Sequence, residues 1–462
     1  MSDTANAKIK LNSLVFPIYV EMLLQMMQFF VQTYMLSYYS ENAVAAIGAA
    51  DQILYVVILL FEVVGMGTSL LMSQYLGAGK KEKAGDVAVV ASSVNLLLGL
   101  LLSVFLVMCG RYILQIMNLS GEALEFSMEF LKIAGGFCFI QGIYLNLSAI
   151  CRSYGYAKIT MYVSIIINIL SAIGNFLLIY GSFGIPAQGV KGAAISIVSS
   201  QTIGAVILIV IIVKTKKVII PIKSLFRMKK EIVMDIFKVG VPSAGETISY
   251  NASQLVVTGF IASLGATELA TKVYILNCMW FIELSILALG QGLQIFTGYL
   301  AGAGDYDRAG KICLRNLRIS VFLIFCQTGL LILFGKVILG IFTSNQQAIS
   351  LGTSIFLIML VLEPAKAFNI ILTSCLRGTG DVRFPVFIGV ISVWSVSVVL
   401  SYFLGIRCGL GLIGIYAAFT ADEVIRSVIM LLRWRSRRWE RMTLIDKRTL
   451  PGKGEPATGP LM

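Results

Sequence analysis

Histidine is absent from all 462 residues. That removes the usual proton shuttle at neutral pH, the base of a Ser-His or Cys-His relay, and the commonest neutral metal ligand. Charge is scarce as well: 13% of residues are Asp, Glu, Lys or Arg, against roughly a quarter in soluble domains. Such a chain cannot cover a water-facing surface. The eight cysteines (109, 138, 151, 278, 313, 326, 375 and 408) show no C-x-x-C spacing. They read as small apolar residues, neither disulfides nor metal ligands. Nothing resembles a P-loop, so direct use of ATP is unsupported. No cleavable signal peptide is evident either, since the first 13 residues are polar and the apolar run after them is too long for a signal core.

What remains is apolar. Hydrophobic residues make up 57% of the chain and the mean hydropathy is +0.86. Twelve apolar stretches reach the length of about 20 residues that a bilayer core requires. They lie near 14–37, 50–75, 86–109, 123–148, 158–181, 188–213, 235–264, 270–299, 311–338, 348–375, 383–405 and 410–433. The runs are continuously apolar and lack the alternation of a barrel strand, so they are expected to be helices.

The chain also repeats itself at an offset of 225. Pro17 and Glu21 recur as Pro242 and Glu246, and Gly65 and Gly67 as Gly290 and Gly292. Gly77-Ala78-Gly79 returns as Gly302-Ala303-Gly304, Ala84-Gly85 as Ala309-Gly310, and Arg152 and Gly155 as Arg377 and Gly380. The fold class expected is an all-α membrane protein: twelve transmembrane helices in two pseudo-symmetric six-helix lobes. An even number of spans per half inserts both halves in the same orientation, with a path between them. The divisions are an N-terminal segment 1–13, a first lobe 14–213, a basic loop 214–231, a second lobe 232–433 and a tail 434–462. The tail turns basic and then Pro/Gly-rich, and reads as frayed.

A net charge of +13 could suggest nucleic acid, but its distribution argues against that. Of the 37 Lys and Arg, 29 fall in the N-terminal segment, every second loop, or the tail. That bias places both termini in the cytoplasm, and the expected location is the cell's inner (plasma) membrane. Anionic lipid headgroups account for the surplus.

The repeated glycines, Gly290-Gln291-Gly292, the Leu376-Arg-Gly-x-Gly-Asp381 segment and the G-x-x-G starts at Gly189 and Gly411 resemble the multidrug and toxic compound extrusion family. The similarity spans nearly all of residues 10–435. It implies two six-helix lobes in a V around a cavity open to one side at a time. It also implies export of organic cations and amphiphilic drugs in exchange for H⁺ or Na⁺, with no other cofactor and no obligate protein partner. The chain departs from the family pattern in three places. Gln32 stands where relatives carry an Asp in the first helix. Tyr250 stands where many have a Glu in the seventh, with Glu246 one turn earlier. Lys366 stands where the tenth helix usually has an acid, with Glu363 one turn earlier.

Acids at bilayer depth cost about 2.5–3.5 kcal/mol on insertion scales and are functional candidates by default. Glu21 and Glu246 each follow a Pro by four residues, where a freed carbonyl and a locally opened helix would suit a proton or Na⁺. They are the expected coupling residues, against the alternative of an inherited structural contact. Glu62, Glu283 and Glu363 are expected to bias a substrate cavity negatively, with Gln32, Tyr34, Tyr250 and Gln291 as further lining. Lys366, three residues after Glu363, would either neutralise it or counter an anionic substrate group. Asp422 is expected to pair with Arg426 one turn on. Met and aromatic residues in the first and eighth helices suit promiscuous contact with amphiphiles, although packing explains such residues more often.

Two rivals stand beside a twelve-helix antiporter. One is a flippase for lipid-linked saccharides of the same architecture, for which an Arg-rich cavity would be expected. The other is a membrane-embedded acyl- or glycosyltransferase, which would need a converging catalytic set that short loops without His do not offer.

Overall fold

A computed structural model describes residues 11–445, apart from 182–183, 185 and 216–227. The described residues form helices α1 (Asn12–Ser37), α2 (Glu41–Gly77), α3 (Lys81–Ile116), α4 (Gly121–Phe130), α5 (Cys138–Ser153), α6 (Ala157–Tyr180) and α7 (Gly189–Thr215). They continue with α8 (Lys230–Leu264), α9 (Ala266–Gly302), α10 (Tyr306–Phe342), α11 (Gln346–Thr379), α12 (Arg383–Ser392) and α13 (Gly411–Arg435). No β-strand occurs among them. Nine stretches are long and apolar enough to cross a bilayer, one of them being α12 with the turns after it. A tenth is α4 and α5, joined through a π-helical turn at Leu131–Gly135 and bent by 48°. The remaining long helices, α8 and α13, carry more charge. Together these are the twelve spans expected, each overlapping its apolar stretch.

The helices outrun the apolar stretches. At 37 residues, α2 is about 55 Å long, well beyond a hydrocarbon core of about 30 Å. Hydropathy marks the segment that lipid requires, whereas the helix continues as far as its backbone bonds are satisfied.

The repeated glycines have backbone reasons. Gly79 (φ +75°) and Gly304 (φ +73°) close α2 and α9 in the left-handed region that favours glycine. The bonds around them are the same at the offset: Lys80 N–H to Tyr75 and Gly79 N–H to Leu76, Asp305 N–H to Leu300 and Gly304 N–H to Ala301. Gly155 and Gly380 close α5 and α11 in the same way. Gly77 and Gly302 serve close approach instead. A Cβ at Gly77 would lie 2.0 Å from the carbonyl of Tyr299, and one at Gly302 2.0 Å from that of Gln74.

The chain divides into two compact units, though not at the basic loop. One holds the described residues through Met72 together with Lys81–Ala244; the other holds Ser73–Lys80 and the chain from Gly245. The first turns of α8 belong with α2 because glycines bring the two backbones together. A Cβ at Gly240 would lie 2.0 Å from the Val63 carbonyl, and one at Gly67 2.5 Å from that of Ile236. Of the basic loop itself, 216–227 lie outside the described residues.

Two expectations need correction. First, α1 and α8 run as continuous α-helix through Pro17 and Pro242, so neither proline breaks its helix, although each lacks the N–H that would bond the carbonyl four residues back. Second, the beginning of the tail is built into the second unit. Trp439 is buried and stacks on Trp434 at 4.3 Å, and its indole N–H donates to the Trp434 carbonyl. Arg437 bonds Asp307 and Glu440, which raise its pKa further. The Gln74 side chain accepts from the Leu444 backbone N–H and donates to the Gly378 carbonyl. Two tryptophans in a basic stretch were the available sign of a packed segment. The rest of the tail, from 446, lies outside the described residues.

Candidate functional site

The two repeated acids meet the two repeated arginines. In the first unit Arg152 Nη1 lies 2.9 Å from Glu21 Oε1, and the Thr160 hydroxyl donates to Glu21 Oε2 at 3.0 Å. In the second, Arg377 Nη2 lies 2.5 Å from Glu246 Oε2. Both pairs separate by 131 residues and are related by the offset. The first is the more enclosed, with Glu21 2% exposed. Gly389 leaves the room that Glu246 occupies, since a Cβ there would lie 2.8 Å from its Oε1. Arg152 and Arg377, in the last turns of α5 and α11, each reach a carboxylate on another helix. The two carboxylates expected to couple ions are each ion-paired with an arginine.

The first unit contains a cavity of about 810 Å³. It is lined from α1, α2, the α4–α5 bend, α6 and α7. Two acids face it, Asp51 and Glu62, and none of its lining residues is Lys or Arg. Neither carboxylate takes part in an ion pair or hydrogen bond among the described residues. Around them stand six glutamines, at 25, 28, 32, 52, 141 and 201, with Asn168. Phe29, Tyr55, Phe130 and Tyr144 supply flat apolar surface. Amides offer both donors and acceptors to a guest of varied shape, and two carboxylates with no ion-pair partner among the described residues favour a positive one.

The second unit gathers its charges differently. Lys366 on α11 forms an ion pair with Glu283 on α9, not with Glu363 one turn before it. Glu363 is 3% exposed and its Oε2 has no hydrogen-bond partner among the described residues. On α13, Arg426 bridges Asp422 at 2.6 Å and Glu423 at 2.5 Å. Ser392 bonds Asp422, and Asn369 Nδ2 donates to Glu423 at 3.0 Å. Glu363, Lys366 and Asn369 follow one another at three-residue spacing on α11, Lys366 pairing with Glu283 and Asn369 bonding Glu423, so these groups form one cluster. Four carboxyl groups face two cations there. The excess is the electrostatic condition for holding a small cation.

The structure sorts the sequence candidates. Glu62 and Gln32 line the first-unit cavity, while Glu283, Glu363, Lys366 and Tyr250 share the second-unit cluster, Tyr250 feeling both Lys366 and Glu283. Tyr34 is 63% exposed, bonds Tyr38 and does not line the cavity. Gln291 is exposed on α9 between two buried glycines, with no place in the cluster contacts. Asp422 takes Arg426 as expected, and Glu423 shares it. The acid missed was Asp51. It lies one residue inside the 50–75 stretch, and α2 begins ten residues earlier, at Glu41. An Asp with no Lys or Arg in the same helix was the signal. No metal-holding group of His, Cys, Asp and Glu occurs among the described residues.

Comparison with known proteins gives the same architecture. The chain is 40% identical to the uncharacterized transporter YisQ of Bacillus subtilis (strain 168) over 95% of its own length and 96% of that protein. It is 25% identical to the probable multidrug resistance protein NorM of Thermotoga maritima, over 95% of this chain and 94% of that one. A crystal structure of MATE in the bent conformation superposes with a TM-score of 0.85 at 21% identity, covering 92% of this chain and 94% of that one, which shows a shared fold. The family model MatE matches twice, over residues 17–177 and 242–403, starting at the two repeated prolines. The chain is a multi-pass membrane transporter and belongs to the MatE family.

Proposed function

We propose that the protein is a secondary antiporter of the inner membrane, with both termini cytoplasmic, that exports amphiphilic and preferentially cationic organic compounds in exchange for H⁺ or Na⁺. One observation carries the reading: a cavity of about 810 Å³ inside one unit bears two carboxylates with no ion-pair or hydrogen-bond partner among the described residues, a belt of amides and aromatic walls, and no basic lining residue. A relative bears the name probable multidrug resistance protein NorM, which agrees with it. The lack of lining arginine argues against the lipid-linked saccharide flippase.

Asp51 and Glu62 take the coupling cation and the organic cation in turn. A single negative site that binds one or the other links their movements, provided each favours a different conformation. Glu363 is a buried acid of the second unit without an ion-pair partner among the described residues, and the place where a further proton or Na⁺ would reside. Glu21 and Glu246, held by Arg152 and Arg377, position helices instead of exchanging ions.

Dye efflux from reconstituted vesicles, under an imposed pH gradient and then a Na⁺ gradient, tests this. Asp51→Asn and Glu62→Gln each remove a charge contact of about 1.5–3 kcal/mol, so efflux of a cationic dye should fall about tenfold or more. Glu21→Gln should retain efflux per folded molecule. Unchanged efflux in both cavity variants, or loss confined to Glu21→Gln, overturns the assignment.

A further inference from the structure

Helix α10 carries four cations on one face: Arg308, Lys311, Arg315 and Arg318. Their spacing of three, four and three residues keeps them within one narrow stripe, and all four are exposed. None takes part in an ion pair among the described residues. The stripe runs about 15 Å along the axis and ends where the apolar part of α10 begins, at Ile319. There it meets a groove of about 310 Å³ lined by Leu317, Arg318, Val321, Phe322, Phe325 and Phe368. Phe322 and Phe325 continue the line of the cations and are 69% and 48% exposed. The Arg318 Nε–H donates to the Leu314 carbonyl, one turn back toward the basic end. The guanidinium is therefore turned away from the apolar part of the groove.

Orientation of the chain in the membrane does not require this arrangement. A topology signal needs positive charge near a helix end, not a face extending three turns to an aromatic groove. The first half makes the comparison internally. At the offset, the four positions are Lys83, Asp86, Val90 and Ser93. The stripe there is absent, and Asp86 is joined to Lys229 at 2.5 Å. The second half has acquired, or the first has lost, a surface with a basic upper part and an apolar lower part.

We propose that this face of α10 is a binding site for an anionic phospholipid of the leaflet in which α10 begins. The headgroup phosphate lies on Arg315 and Arg318, with Arg308 and Lys311 extending the attraction outward, and an acyl chain fills the groove between Phe322, Phe325 and Phe368. Charge complementarity selects the headgroup. Guanidinium geometry suits phosphate oxygens in a bidentate manner, and the groove's apolar wall suits a hydrocarbon chain and nothing soluble. The inference stands apart from the antiport reading, since it concerns only what occupies this face.

The test uses the full chain purified in detergent, with bound lipid counted by native mass spectrometry. Phosphatidylglycerol and phosphatidylcholine with the same acyl chains are offered, and glycerol 3-phosphate serves as the soluble anion. Wild-type protein should retain phosphatidylglycerol in preference to phosphatidylcholine, and glycerol 3-phosphate should not displace it. Arg315→Gln/Arg318→Gln should weaken that retention about tenfold, and Phe322→Ala/Phe325→Ala should weaken it without removing the headgroup preference. Lys83→Gln, at the first-half position, should change nothing. Thermal unfolding of each variant without lipid establishes that it is folded. Equal retention of the two lipids, full retention in the double Arg variant, or displacement by glycerol 3-phosphate overturns the proposal.

Discussion

Arg426→Ala should cost about 3–5 kcal/mol of folding stability, because it strips the only ion-pair partner from two buried carboxylates at once. Arg426 is 8% exposed, and Asp422 and Glu423 are 2% and 7% exposed. Among the described residues each of these acids pairs with Arg426 and with no other cation. Without it, two negative charges on adjacent residues of α13 would face one another in a low-dielectric interior. Ser392 and Asn369 supply hydrogen bonds but no positive charge. Thermal unfolding in detergent should show a large drop for Arg426→Ala, most of it recovered by adding Asp422→Asn and Glu423→Gln. A single variant as stable as wild type would mean the bridge is incidental.

Breaking the two repeated ion pairs should have unequal consequences. Arg152→Ala leaves Glu21, whose side chain is 3% exposed, with only the Thr160 hydroxyl. The loss should again be about 3–5 kcal/mol. Arg377→Ala leaves Glu246, whose side chain is 20% exposed and better placed to recruit water, so its loss should be smaller. Glu21→Gln should restore much of the stability of Arg152→Ala, since the residual penalty is an orphaned charge rather than a missing contact. Equal destabilisation by the two arginine variants, measured on the same preparation, would contradict the difference in enclosure.

Much of the architecture was legible because lipid imposes it. Twelve apolar stretches and a repeat at one offset anticipated every span, and the repeated glycines mark turns with positive φ or backbone-to-backbone crossings. Helix ends were less legible, since hydropathy is silent once a helix leaves the hydrocarbon. Asp51, inside the 50–75 stretch, was passed over although its helix carries no Lys or Arg. Charge pairing was the least legible. Spacing along one helix gives Lys366 a neighbour in Glu363, yet the partner is Glu283, 83 residues away on α9. Glu21 and Glu246 were singled out as a repeated pair, and so were Arg152 and Arg377. That each acid meets the arginine 131 residues on depends on which helices pack together, which a single sequence does not carry. The Arg426 bridge was legible because its partners lie within one turn.

Equilibrium binding of a fluorescent organic cation to the purified protein tests the acid-lined cavity most directly. The wild type should bind it, with H⁺ or Na⁺ competing, and Asp51→Asn/Glu62→Gln should lose about two orders of magnitude in affinity if each carboxylate contributes about 1.4 kcal/mol. An affinity unchanged in that double variant, with competition intact, would place both the substrate and the coupling ion elsewhere.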